Sequence, residues 1–328
     1  MAHRQIAELM RVPAPAHDLG WLQESLASAV QLELSTIPTY LTAYWSVKEG
    51  QVQNLILNIV LQEMFHMGQS ANILTGIGGT PEINTDAPTY PGPLPGGVRP
   101  GLIVDIQGLT LDWLENVAMQ IEYPESGPIV LYRGESYPTI GAFYTAIQEA
   151  IAALRPAFDT SKQLSASVAG NPVKVVSTPE EAIAAIQVIK EQGEGTQKSP
   201  DAGTELAHYY VFSEIWHGQS LVFNSSTGTW SYTGAPIPFP NVYPVSSVPE
   251  NGYPDAPEEV QTTIEAFQAT YTLLLDNLQA AWANTDPTAL SNAILNMSGL
   301  QTPAIELMQT PIANTTGNYG PVWIYGGQ

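Results

Sequence analysis

Three of the five histidines in this chain follow a glutamate at a spacing of three residues: Glu63/His66, Glu205/His208 and Glu214/His217. Random placement of 22 glutamates and 5 histidines would give roughly 0.3 such pairs, so three is a surplus. On an α-helix, residues three apart share a face, and a carboxylate and an imidazole at that spacing converge on one point. Glu63 and His66 sit in Gln62-Glu63-Met64-Phe65-His66-Met67, among core-type neighbours. A carboxylate placed there is costly unless its charge is paired, hydrogen-bonded or bound to a cation. The fold must therefore bring partners from other helices.

One partner is readable from helix arithmetic. Asp18 is placed to cap a helix through Leu22, Leu26, Val30, Glu33 and Leu34, resuming through Leu41, Tyr44 and Trp45 to end near Gly50. Pro38 cannot donate to the Leu34 carbonyl, so a kink is expected one turn beyond Glu33. A second helix carries Leu55, Ile59, Met64, Met67 and Leu74, and stops at Gly76, Gly78, Gly79 and Pro81. The short link around Glu49–Gln51 makes the two an antiparallel hairpin. Glu33 lies 17 residues before Gly50, and Glu63 and His66 lie 13 and 16 after it. At about 1.5 Å per residue they stand roughly 25, 20 and 24 Å from the turn. All three reach one level of the hairpin. For any single pair a metal-free Glu–His hydrogen bond is the plainer reading; the set together favours a cation.

Beyond the hairpin, residues 80–110 are rich in Pro and Gly and read as a long loop. Helices are expected at 110–122, from Pro138-Thr139 to Pro156, from Thr178 to Gly193, and at 203–217. The aromatic, Pro-rich stretch 218–256, with a hairpin around Ser226–Gly228, has the character of a lid over the site or an interface. Two more helices follow, at 257–284 and 287–309. No boundary divides the chain, so residues 1–328 are read as one all-α domain with core motifs in 20–217.

The second half of the site leaves choices open. His208 and His217 are nine residues apart, or about 180° around a helix, so one site cannot take both. His217 lies beside Gly218, where a histidine complements the helix dipole, which favours His208 with its companion Glu205. Glu194, between Gly193 and Gly195, allows close backbone approach; Glu191 reads as a solvated helix-end acid. Glu122, in Ile121-Glu122-Tyr123-Pro124, reads equally as a ligand or as an exposed terminal acid. Tyr40, Tyr44, Trp45, Phe65, Tyr209, Tyr210 and Trp216 are near the site in sequence, and most are expected in the core.

Composition closes off other chemistries. A net charge of −21 repels nucleic acid and anionic membranes. The absence of cysteine excludes disulfides, thiolate metal sites and iron–sulfur clusters. No run approaches 18 apolar residues, and Met1 to Pro15 lacks a basic start followed by an apolar stretch, so a cytoplasmic location is the expectation. Phosphate-loop, His-Glu-x-x-His and Gly-x-Ser-x-Gly motifs are absent.

The di-iron arrangement of ferritin-like bundles takes a Glu from each of two helices and a Glu-x-x-His from each of two others. The run Leu32-Glu33-Leu34-Ser35-Thr36-Ile37-Pro38-Thr39-Tyr40-Leu41, then Gln62–Met67 and Gly78-Gly79-Thr80-Pro81, resembles the ferritin-like family typified by iminophenylpyruvate dimer synthase of violacein biosynthesis. Ile121–Glu125, Thr139–Tyr144, Glu191–Gly195 and Ala207-His208-Tyr209 extend the likeness in order over roughly residues 20–217. The resemblance implies a ferritin-like four-helix bundle with additional helices and long loops. It favours Glu33, Glu63, His66, Glu122, Glu194 and His208 as site residues. The violacein enzyme is far longer than this chain, so its coupling reaction does not transfer with the fold. The expectation is one or two iron ions, or manganese, serving oxidation of a small aromatic or imino-acid-type substrate, in a chain that can form homo-oligomers. Iron handling as a ferroxidase and a metal-free interaction module are the competing expectations.

Overall fold

The computed structural model describes residues 5–99, 101–124, 131–132, 135–136, 139–168, 170–194, 200–202 and 205–327. After a single turn, α1 (Ile6–Leu9), Asp18 caps the first long helix, α2 (Leu19–Ser46), its carboxylate accepting the Trp21 N–H at 2.8 Å. The helix runs unbroken through Pro38. Gly50, at φ 115°, makes the turn into α3 (Gln51–Gly76), a backbone conformation that side chains with a Cβ rarely adopt. The two helices form the expected antiparallel hairpin.

Both helices are buried almost all round. Amphipathic surface helices show one apolar stripe; a helix apolar on every side belongs in the interior. The hairpin is indeed packed from two directions. On one side lie α4 (Leu111–Trp113), a π-helical segment Leu114–Ala118, α5 (Met119–Ile121), α6 (Ile140–Leu154), α7 (Pro179–Glu194) and α8 (His208–His217). On the other lie α9 (Glu258–Asn284) and α10 (Pro287–Gln309), anchored by Trp282 Nε1, which donates to Asn72 Oδ1 at 3.0 Å. One apolar cluster runs through both packing surfaces, from Ile6 to Trp323.

Two expectations change. The helix anticipated at 203–217 begins only at His208, because Glu205–Leu206 pairs as a short strand with Asp201–Ala202. Glu205 and His208 therefore do not share a helical face. The 218–256 stretch contains the hairpin, Gln219–Asn224 with Thr229–Pro236. Its remainder seals the turn end of the α2–α3 hairpin: Val242 bridges Val47, and the Tyr243 N–H donates to the Ser46 carbonyl at 2.8 Å. None of the described residues of 218–256 lines the cavity at the carboxylates. Among the described residues, no helix is long and apolar enough to cross a membrane.

Candidate metal centre

Glu33 on α2 and Glu63 and His66 on α3 meet in the core, 5%, 2% and 2% exposed. Their ligand-type atoms lie within 4.8 Å of one another, in keeping with their similar distances from the turn. His66 Nδ1 stands 3.5 Å from Glu33 Oε2 and 3.9 Å from Glu63 Oε1. A second triad, Glu63, Glu122 and His208, is equally buried. His208 Nδ1 lies 2.7 Å from Glu63 Oε1 and 3.6 Å from Glu122 Oε2. Glu63 belongs to both triads, and the two imidazoles stack with ring centroids 5.6 Å apart. Glu122 reaches this position from the end of α5, just past the π-helical segment, whose wider turn shifts the face on which the following residue emerges.

The imidazoles are oriented from behind. Gln62 Nε2 donates to Glu205 Oε2 at 2.9 Å, and a carboxylate only accepts, so the Gln62 oxygen must face the other way. That oxygen lies 2.7 Å from His208 Nε2, which therefore carries the proton. His208 Nδ1 is left with a lone pair, buried, with no hydrogen-bond partner, beside a carboxylate oxygen. Two electron-rich atoms at 2.7 Å repel unless a proton or cation lies between them. His66 repeats the pattern: Nε2 meets Gln192 Oε1 at 2.8 Å, and Nδ1 faces the carboxylates. Outer nitrogens held by amide acceptors and inner nitrogens converging with carboxylates are how histidines are presented to metal ions. Oxygen and neutral imidazole donors suit iron, manganese or zinc. On donor chemistry and on the orphaned His208 nitrogen, the residues fit a metal centre.

Phenols and a hydroxyl hold the carboxylates. Tyr40 donates to Glu122 Oε1 at 2.6 Å, Tyr144 on α6 donates to Glu33 Oε1, and Thr36 donates to Glu63 Oε2 at 2.9 Å. Burial, then the adjacent carboxylates, pushes both phenols well above the usual tyrosine range, so they remain neutral donors. For Glu63, burial and then the charges of Glu122 and Glu33 raise the pKa well above the carboxylate range. Burial pushes Glu33 upward too, but hydrogen bonding to His66, its charge, and bonds from Glu63 and Tyr144 outweigh it, and Glu33 titrates low. His66 is raised: burial opposes its charge, and Glu33 and Glu63 overcome that.

The structure thus brings together Glu33, Glu63, His66, Glu122 and His208. Glu205 is exposed and touches the cluster only through Gln62. Glu194 ends α7, and its side chain lies outside the described residues; Gly193 lines the cavity at the cluster, where a Cβ would stand 3.6 Å from Glu122 Oε2. Glu191 is paired with Gln187, Glu214 accepts the Leu221 N–H at 2.6 Å, and His217 stacks on Tyr232. Sequence reading passed over Gln62, Gln192 and Tyr144. A glutamine at an apolar helix position directly before Glu63 was the available signal for the first. Glu205→Ala is expected to release Gln62 and weaken metal binding by about 10- to 100-fold, in the range found for outer-shell partners. Calorimetric titration with Mn(II) measures it, and unchanged affinity would remove Glu205 from the site.

The fold and the cluster together define an all-α bundle with a buried carboxylate–imidazole centre able to hold a metal ion. The model of the ferritin-like family matches residues 26–217, more than half of the sequence, and the chain belongs to that family. It is similar in structure to a ferritin-like protein from Caulobacter vibrioides, at 24% identity and a TM-score of 0.66, over 94% of this chain and 99% of that one. At that identity the likeness speaks for the fold alone. No curated protein matches the chain significantly.

Proposed function

We propose that the chain is a non-haem iron protein holding two ions in adjacent positions, and that it carries out a dioxygen-dependent oxidation of a small aromatic or imino-acid-type molecule. The sharing of Glu63 between two triads, each completed by an imidazole Nδ1 turned toward the carboxylates, carries this reading. Iron bound there would supply electrons to dioxygen and Lewis acidity to a substrate. The chain's own residues do the rest. Glu33 and His66 would hold one ion and Glu122 and His208 the other, with Glu63 available to both. Tyr144 and Tyr40 fix the outer carboxylates while keeping their own protons. Ile140, Gly141 and Ile189 wall the approach from α6 and α7 and limit water around the acids.

A second reading, oxidation of iron without an organic substrate, is favoured by the cavity at the cluster, whose volume of about 30 Å³ is close to that of one water molecule. Metal analysis, with dioxygen uptake per iron measured with and without aromatic amino acids, tests both. Two irons per chain and uptake that rises with the organic compound support the first; iron-limited uptake supports the second. A chain that retains no iron or manganese on dialysis overturns both.

Metal should also stabilise the fold in a pH-dependent way. Without a cation, the folded chain keeps a proton on Glu63 that the unfolded chain releases. The contribution of this group to stability therefore falls as pH rises from the ordinary carboxylate range toward the raised folded value. Binding expels that proton, so the rise in Tm on adding Mn(II) is expected to be larger at pH 8 than at pH 6. Differential scanning fluorimetry gives the comparison, and an equal rise at both values would contradict proton release.

A further inference from the structure

Ile186, Ile189, Lys190 and Gly193 stand three, four and seven residues apart along α7, so they share one helical face. Ile186 and Ile189 are buried, and Lys190 is half-buried beside them. A lysine in an apolar stripe is costly unless its ammonium has something to hold. Lys190 lines the cavity at the acids, and among the described residues it is the only Lys or Arg that does. Its ammonium is turned to α6, where it donates to Thr145 Oγ1, and Thr145 donates in turn to the Gly141 carbonyl at 2.9 Å. Gly141 lines the same cavity. Lys190 is thus fixed at the wall between α6 and α7, with Thr145 taking one of its three N–H groups.

A positive group at a cavity that takes cations opposes their binding, because like charges repel most strongly in a low-dielectric interior. Support of a metal therefore does not favour lysine here; an organic anion brought to the same cavity does. The chain carries 31 acids against 10 basic residues, so its field repels anions, and an anion needs a fixed positive group at its destination. We infer that Lys190 holds the carboxylate of the organic substrate at the wall of the metal cavity, and selects organic acids over neutral molecules of the same shape. The inference rests on the function proposed above and assigns a residue to its substrate. Ile140 and Ile189, which line the cavity with Lys190, give the apolar part of such a molecule its surface. The cavity of about 30 Å³ admits only a small group, so the body of the molecule stays outside it.

Titration of the Mn(II)-loaded chain with 3-phenylpropionate and with 3-phenylpropanamide tests the inference. The two match in shape, and only the acid is charged. The acid is expected to bind more tightly. Lys190→Gln removes the charge and keeps a donor for Thr145. It should weaken the acid by about 10- to 100-fold, the scale of a hydrogen bond between charged groups, and leave the amide within about twofold. Mn(II) affinity should hold or rise in the same variant, because a like charge has left the cavity wall. Lys190→Met repeats the measurement if the glutamine variant does not fold. The inference is overturned if neither compound binds, if the parent binds acid and amide equally, or if loss of Lys190 leaves the acid unchanged or weakens both equally. It is also overturned if Mn(II) affinity falls as far as that for the acid, since Lys190 would then be supporting the metal. A chain that takes up no Mn(II) overturns the proposed function and this inference together; a loaded chain that fails the comparison overturns the inference alone.

Discussion

Glu63→Ala is expected to empty both halves of the metal centre, whereas Glu33→Ala and His208→Ala each empty one. The asymmetry comes from position. Glu63 sits in both triads, with one oxygen 2.7 Å from His208 Nδ1 and 3.9 Å from His66 Nδ1, while Glu33 serves the first triad only and His208 the second only. Iron content after loading and desalting should fall from two per chain to one in the outer variants and to near zero in Glu63→Ala. A full equivalent retained by Glu63→Ala would show that the two positions do not share this residue. The same site predicts an opposite effect on the metal-free fold. Three carboxylates are gathered in the interior, and burial, then the charges of Glu122 and Glu33, resists the ionisation of Glu63. Glu63→Gln removes that conflict and keeps an acceptor for Thr36, so the metal-free variant should unfold at a higher temperature than the parent. Loss of function with gain of stability is the mark of a residue retained for its ligand.

Trp323→Ala is expected to cost about 3–5 kcal/mol, the scale for deleting a large aromatic from a packed core. Trp323 is 4% exposed, stacks on Trp45 at 5.8 Å with the rings 2° from parallel, and receives the edges of Phe267 and Tyr271 at 4.9 and 5.1 Å. It joins α2 to α9 at one point. Trp323→Phe keeps most of the packing but loses the bond to Thr42, and should cost about 1 kcal/mol more than packing alone explains. Thr42 remains partnered through its own bond to the Pro38 carbonyl, so no new unsatisfied hydroxyl adds to either effect. Urea unfolding measures both. A loss below about 1 kcal/mol for the alanine variant would mean that this tryptophan does not hold α9 against the hairpin.

The metal-free pH dependence and the role of Glu205 connect these effects to one arrangement. Acids in the core are held by phenols, a hydroxyl and imidazoles, and the imidazoles by amides, from five separate stretches of chain. Glu205 shows how indirect that support is: its carboxylate fixes an amide, the amide fixes a tautomer, and the tautomer turns a lone pair inward.

The hairpin and its three site residues were legible in the sequence because helix geometry converts residue counts into distances. Asp18 capping Leu19–Ser46, Gly50 at the turn, and Glu33 level with Glu63 and His66 all follow from local rules, and α9 and α10 followed in the same way from caps and period. Glu205 and the 218–256 stretch did not follow. A Glu-x-x-His spacing is informative only where the backbone is helical, and strand pairing with Asp201–Ala202 takes Glu205 off that face. An aromatic, Pro-rich stretch carries no period, so nothing local says which end of the bundle it covers. Which glutamine stands behind each histidine, which tyrosine holds each acid, and how α9 and α10 seat on the hairpin depend on contacts between residues tens to hundreds of positions apart. Local sequence sets the direction of a side chain on its own helix; only packing among helices sets what that side chain meets.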